Sequence, residues 1–329
     1  MRLKYIDKTK GICIALVVLG HICRIRWKGT IPVIIIYAVN VQPFFIISGI
    51  LIENNREYFN AWKDIIFKNC RSLIFPYFFF EMLYNVVYSV INGRETLRWQ
   101  IIDTLVFYGR EIATWFLPAL FFAKLIIFVL FKLRLNKTNT LVLSGVFFII
   151  GLFGKELFPF ASCYQARFLF RVFIGVGFLS IGIVLSRYLD IIVSNRYVAY
   201  VSLLLFGLTT IANGQVSTYK VEIHNPLLYV TSSLFGTIIL LYVTSRVDAP
   251  LLEYWGRNSL VILGTHQVML YVLYRWIGKT YSVLVALLLW VFIMAIEIPV
   301  IEIISGYFPF VIGKKRKART RNEYNSKVC

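Results

Sequence analysis

IDKTKGICIALVVLGH, residues Ile6–His21, decides how the rest of the chain is read. It sets a lysine at the entrance of an apolar helix and a histidine deep inside it. At 100° per residue, the eleven steps from Lys10 to His21 make about three turns plus about 20°. The two side chains therefore share a face and stand about 16 Å apart along the axis. Asp7 lies about 40° off the line through His21. An ionisable imidazole inside an apolar helix is costly in lipid, which makes a working role its first reading.

The surrounding sequence supplies the lipid. Hydrophobic residues make up 59% of the 329 residues and charged residues 16%. A soluble domain carries about 45–50% apolar and about 25% charged residues. Apolar stretches long enough to cross a bilayer recur near 11–27, 32–52, 73–91, 115–133, 138–154, 168–187, 197–213, 226–245, 258–276 and 281–304. The expectation is an all-α integral membrane protein of about ten helices in one bundle. Residues 1–312 form its single polytopic domain, followed by a basic cytoplasmic tail from 313 to 329 with a disordered composition. Lysine and arginine gather at the N-terminus, in the loops after the second and fourth spans and in the tail, so both termini are expected in the cytoplasm.

The net charge of +19 is spread over loops and a tail next to lipid, where anionic headgroups attract it. A nucleic-acid partner is not expected; membrane lipids are. The basic, apolar N-terminus lacks a small-residue cleavage site and reads as an uncleaved first span. Five cysteines form no CxxC pair and three histidines are too few for a zinc centre, so no metal is expected.

Several groups carry two readings. Ser48-Gly49 follows an aromatic run, and small residues in membrane helices most often mark packing contacts. Arg71 opens the third span, as a snorkelling anchor or a phosphate ligand. Trp115 opens the fourth, where an interfacial belt residue is the plain reading. Glu81, Glu297 and Glu302 lie in or near spans and receive no role. His266 sits eight or nine residues into the ninth span, a depth that matches His21 and implies a shared polar cavity.

In order, DKTKGICIALVVLGH, FFIISG, CRSLIFPY, WFLPALFFAKL and NSLVILGTH resemble the membrane-bound acyltransferase type 3 family. Within it they are most similar to bacterial surface-polysaccharide and sugar O-acetyltransferases. The lysine (or arginine), ten residues, histidine spacing is the family's hallmark. One departure stands out: Asn40, in VNVQPFFIISG, replaces a histidine common in that branch.

The resemblance implies an enzyme of the bacterial cytoplasmic membrane. It would move acetyl, or another short acyl such as succinyl, from cytoplasmic acyl-coenzyme A to a sugar hydroxyl of a surface polysaccharide or lipid-linked precursor. Polysaccharide biosynthesis proteins are then possible partners. His21 becomes the general base, or an acyl carrier, with Asp7 holding Lys10 by an i,i+3 contact. Lys10, Lys68 and Arg71 would receive the anionic donor. Ser48 or the backbone near Gly49 would face the oxyanion, with Trp115 and His266 in the acceptor pocket. The reading from another class is a polysaccharide or small-molecule transporter, or a proton-coupled carrier relaying through His21 and His266. A scaffold in a polysaccharide assembly complex is the third.

Overall fold

The computed structural model describes residues 3–24, 26–57, 61–93, 97–107, 113–133, 136–158, 163–278 and 281–314. Most of the basic tail therefore lies outside the described residues. The first half of the bundle is built from α1 (Lys4–Cys23), α2 (Ile31–Val39), α3 (Gln42–Asn54), α4 (Trp62–Asn69), α5 (Phe75–Asn92), α6 (Leu97–Leu105) and α7 (Phe116–Lys132). The second half holds α8 (Lys137–Leu157), α9 (Tyr164–Leu185), α10 (Leu189–Ser194), α11 (Arg196–Asn213), α12 (Pro226–Arg246), α13 (Pro250–Arg257), α14 (Ser259–Ile277) and α15 (Val283–Tyr307). A lone antiparallel bridge, Ser217 to Glu222, shapes the loop between α11 and α12.

The protein is an all-α integral membrane protein. Among the described residues, eight helical segments are long and apolar enough to cross a bilayer. The two remaining spans expected from the sequence fall on α1, whose first turns hold Asp7, Lys8 and Lys10, and on α11. The outward faces are apolar. Val142, Val146 and Ile149 of α8, Leu203, Leu204 and Leu208 of α11, and Leu284, Leu288 and Val291 of α15 are all exposed. Apolar surface on that scale needs lipid against it.

α1 runs through the middle of the bundle, with Ile14, Val18 and Ile22 fully buried. It starts seven residues earlier than its hydropathy implies, because its polar first turns are covered by protein rather than water. Thr9 and Thr244 share a hydrogen bond of 2.8 Å, and Lys8 donates to the Val247 carbonyl at 2.5 Å. α13 lies against the same turns. A Cβ at Gly256 would sit 1.7 Å from the Asp7 carbonyl oxygen, and one at Gly11 would sit 2.0 Å from that of Leu252. Only glycine lets the two backbones approach so closely.

The expected second span, 32–52, is not one helix. It breaks between α2 and α3, at Asn40–Val41, two residues ahead of Pro43. Proline lacks an N–H, so residue 43 cannot donate the helical hydrogen bond back to the Val39 carbonyl. Gln42 repairs the break. Its Oε1 accepts from the Val41 N–H at 3.3 Å, and its Nε2 lies 3.2 Å from the Tyr37 carbonyl, 3.1 Å from Thr218 Oγ1 and 3.4 Å from the Tyr229 hydroxyl. A second irregularity is the π-turn Cys70–Ile74 between α4 and α5, just ahead of Pro76. Such wide turns arise where a backbone N–H is missing and recur at functional sites.

Candidate active site

α1 offers one stripe to the interior: Lys10, Ile14, Val17, His21 and Arg24 all line a single cavity of about 240 Å³. The steps of four and three residues keep them on one face over about 21 Å of helix. The broken helix supplies the facing wall with Tyr37, Asn40, Phe44, Ile47 and Ser48. Ser72 and Leu73 of the π-turn and Ser259 and Leu260 at the start of α14 line it near Lys10. Trp115, Ser217, Thr218 and Tyr219 line it near Arg24. Between Lys10 and His21 the wall is apolar, made by Ile14, Val17, Ile47 and Leu263.

The Lys10 end is an ion-pair cluster. Asp7 accepts from Lys10 Nζ at 2.8 Å and lies 3.6 Å from Arg257 Nε, and Arg257 also pairs with Glu253. Asp7 thus sits with Lys10, about 21 Å of helix from His21, and the two do not meet. Arg71 and Lys68 stay off the cavity lining. Arg71 is on the π-turn beside the residues that line it, and Lys68 is bound to Glu57 at 2.8 Å. Ser48 faces the cavity. Gly49 does not: a Cβ there would lie 2.0 Å from the Leu179 carbonyl oxygen, so this glycine is taken up by packing against α9.

His21 lines the cavity; His266, expected from its depth to share it, does not line it and packs behind the His21 ring. The His21 and His266 rings are 5.3 Å apart, centroid to centroid, tilted by 47°. His266 is fully buried, and its Nδ1 donates to the Ile262 carbonyl at 2.6 Å, leaving Nε2 without a partner among the described residues. Gln267 Nε2 lies 3.2 Å from His21 Nδ1, and Gln267 Oε1 accepts from the Ala113 N–H. Beside His266, Thr265 Oγ1 is 2.7 and 2.8 Å from the two carboxyl oxygens of Glu297.

At the far end Trp115 and Tyr219 stand 6.0 Å apart, with Arg171 behind them. The Arg171 guanidinium carbon is 4.5 Å from the Tyr219 ring centre, 5.0 Å from that of Tyr164 and 5.5 Å from that of Trp115. It is 1% exposed, and its Nε and Nη1 find no acceptor among the described residues. Next to Trp115, Thr114 donates to Glu81. Spacing does not single out Gln267, Tyr219, Arg171 or Arg257, although an arginine inside a span is the kind of signal that picks out His21.

A family model described as an acyltransferase domain matches residues 3–306, nearly the whole chain. The chain belongs to that family, the membrane-bound acyltransferases of type 3. No curated protein and no solved structure matches it.

Proposed function

We propose that this membrane acyltransferase takes acetyl, or another short acyl group, from cytoplasmic acyl-coenzyme A. The acceptor is a hydroxyl of a surface polysaccharide sugar or its lipid-linked precursor. The observation that carries this reading is the α1 stripe. One cavity is lined by a cation at Lys10, a histidine eleven residues on, and polar and aromatic side chains beyond it. Coenzyme A is anionic and long, so a cation about 16 Å from the base suits phosphates at one end and a thioester at the other. Hydroxyl, amide and aromatic groups at Tyr37, Asn40, Trp115, Thr218 and Tyr219 suit a sugar.

In this reaction His21 removes the proton of the sugar hydroxyl as its oxygen attacks the thioester carbonyl. The carbon–sulfur bond breaks, and the departing thiolate takes the proton back from His21. Ser48, which lines the same cavity, would donate to the oxyanion. A two-step route forms an acyl bond to a His21 ring nitrogen as the carbon–sulfur bond breaks and the thiolate leaves; the sugar oxygen then attacks that acyl group, its hydroxyl proton passes to the freed ring nitrogen, and the thiolate collects it. The reading puts Lys10 and both termini in the cytoplasm of a bacterium. Reporter fusions at Cys329 check the orientation, and an extracytoplasmic signal would overturn it.

The deciding experiment adds radiolabelled acetyl-coenzyme A to purified protein in lipid vesicles, with the host's deacetylated surface polysaccharide. Labelled polysaccharide from wild type, and none from His21→Ala at equal protein level, is the expected result. Full transfer by His21→Ala, or coenzyme A never being released, would reject it.

A further inference from the structure

The Gln267 amide has only one orientation that fits its surroundings. The Ala113 backbone N–H can only donate, so the atom it meets is Oε1, and the amide N–H₂ is turned to His21 Nδ1. A nitrogen that accepts from an amide carries no proton of its own. In neutral His21 the proton is therefore on Nε2 and the lone pair on Nδ1. His266 is held the other way. Its Nδ1–H is tied to the Ile262 carbonyl, so its lone pair is on Nε2, which has no partner among the described residues. Two rings 5.3 Å apart are thus fixed by their neighbours in opposite tautomers.

We infer that Gln267 is a positioning residue that sets the tautomer of His21 and makes Nδ1 the atom that receives the acceptor's proton. The inference rests on the reading of His21 as general base. On acceptor binding, the sugar hydroxyl displaces the Gln267 N–H from Nδ1. The hydroxyl proton passes to Nδ1, giving an imidazolium with both nitrogens protonated, and the departing thiolate collects that proton. Gln267 keeps its bond to Ala113 throughout, which ties His21 to the turn that carries Trp115.

The chain has three histidines, so ¹⁵N-histidine labelling gives a spectrum of six ring nitrogens, assignable with His21→Ala, His224→Ala and His266→Ala. The expected wild-type result is an unprotonated His21 Nδ1 and a protonated Nε2. Gln267→Glu separates the roles, because a carboxylate still accepts from Ala113 but now also accepts from a Nδ1–H, inverting the tautomer. The inverted spectrum should come with a kcat lowered about 10²-fold and a KM for acetyl-coenzyme A that is unchanged. Gln267→Leu, which imposes neither tautomer, should lose less kcat than Gln267→Glu. A wild-type spectrum with Nδ1 protonated overturns the inference. So does a Gln267→Glu enzyme that inverts and keeps its kcat. Failure of the base reading itself looks different, since His21→Ala would then stay active.

Discussion

The two ends of the cavity treat positive charge in opposite ways. At the Lys10 end the cation that lines the cavity and its neighbour are both paired with carboxylates: Asp7 is shared by Lys10 and Arg257, and Glu253 backs Arg257. At the Trp115 end the buried cation, Arg171, has three aromatic faces and no carboxylate among the described residues. A paired lysine can be handed from one anion to another at little cost, because its charge is compensated before and after. A guanidinium buried among rings has nothing to hand over; it fixes the planes of Trp115 and Tyr219. The difference teaches that one end is suited to capturing and releasing a charged molecule, and the other to presenting a rigid wall to an uncharged one.

The largest effect should come from the residue both ends share. His21→Ala should lower transfer about 10²–10⁴-fold whichever substrate is varied, with unchanged protein in the membrane. Steady-state rates against membrane protein level check it. Wild-type acetylation of the surface polysaccharide would break the comparison at its centre.

The next variants separate the ends. Lys10→Ala should raise KM for acetyl-coenzyme A about ten- to a hundredfold, the worth of a hydrogen bond to a charged group. The acceptor constant should hold. Lys68→Ala, whose ammonium is already held by Glu57, should stay within about twofold. Arg71→Ala should fall between them, as Arg71 adjoins the cavity without lining it. A Lys10→Ala enzyme that loses acceptor affinity instead would exchange the two ends.

Trp115→Ala should do the converse. It should raise the acceptor constant about two- to tenfold, as expected for one aromatic contact, and leave the donor constant alone. The smallest effect concerns stability. A buried ion without a carboxylate partner carries a desolvation cost that an apolar side chain of similar size does not. Arg171→Met should therefore melt no lower than wild type in detergent, while raising the acceptor constant less than Trp115→Ala does. A large drop in melting temperature would show that the cation holds the fold rather than the wall.

Much of this is legible in the sequence alone. Each of the ten apolar stretches is helical over most of its length, the second as two helices, because burial in lipid writes itself into composition. The 100° step alone puts Lys10 and His21 on one face, and both line the cavity. The break at Asn40–Val41 was written in Pro43, but hydropathy averages across it. Gln267 was hidden for another reason. Its partners, Ala113 and His21, are 154 and 246 residues away in sequence, and no local pattern encodes a contact at that range. In the sequence Arg71 and Lys68 look like donor ligands because they are basic and near a span end. Whether such a side chain reaches a cavity depends on helix rotation, which charge does not set.

The apolar wall of Ile14, Val17, Ile47 and Leu263 also bears on what a membrane that holds this protein can leak. Those four side chains offer no hydrogen-bonding group to a water molecule. A passage lined in this way holds water poorly. A proton on His21 then has few waters to carry it toward Lys10, about three turns away along α1. A polar substitution at Val17 would put a hydrogen-bonding group on that path and ease the passage of protons.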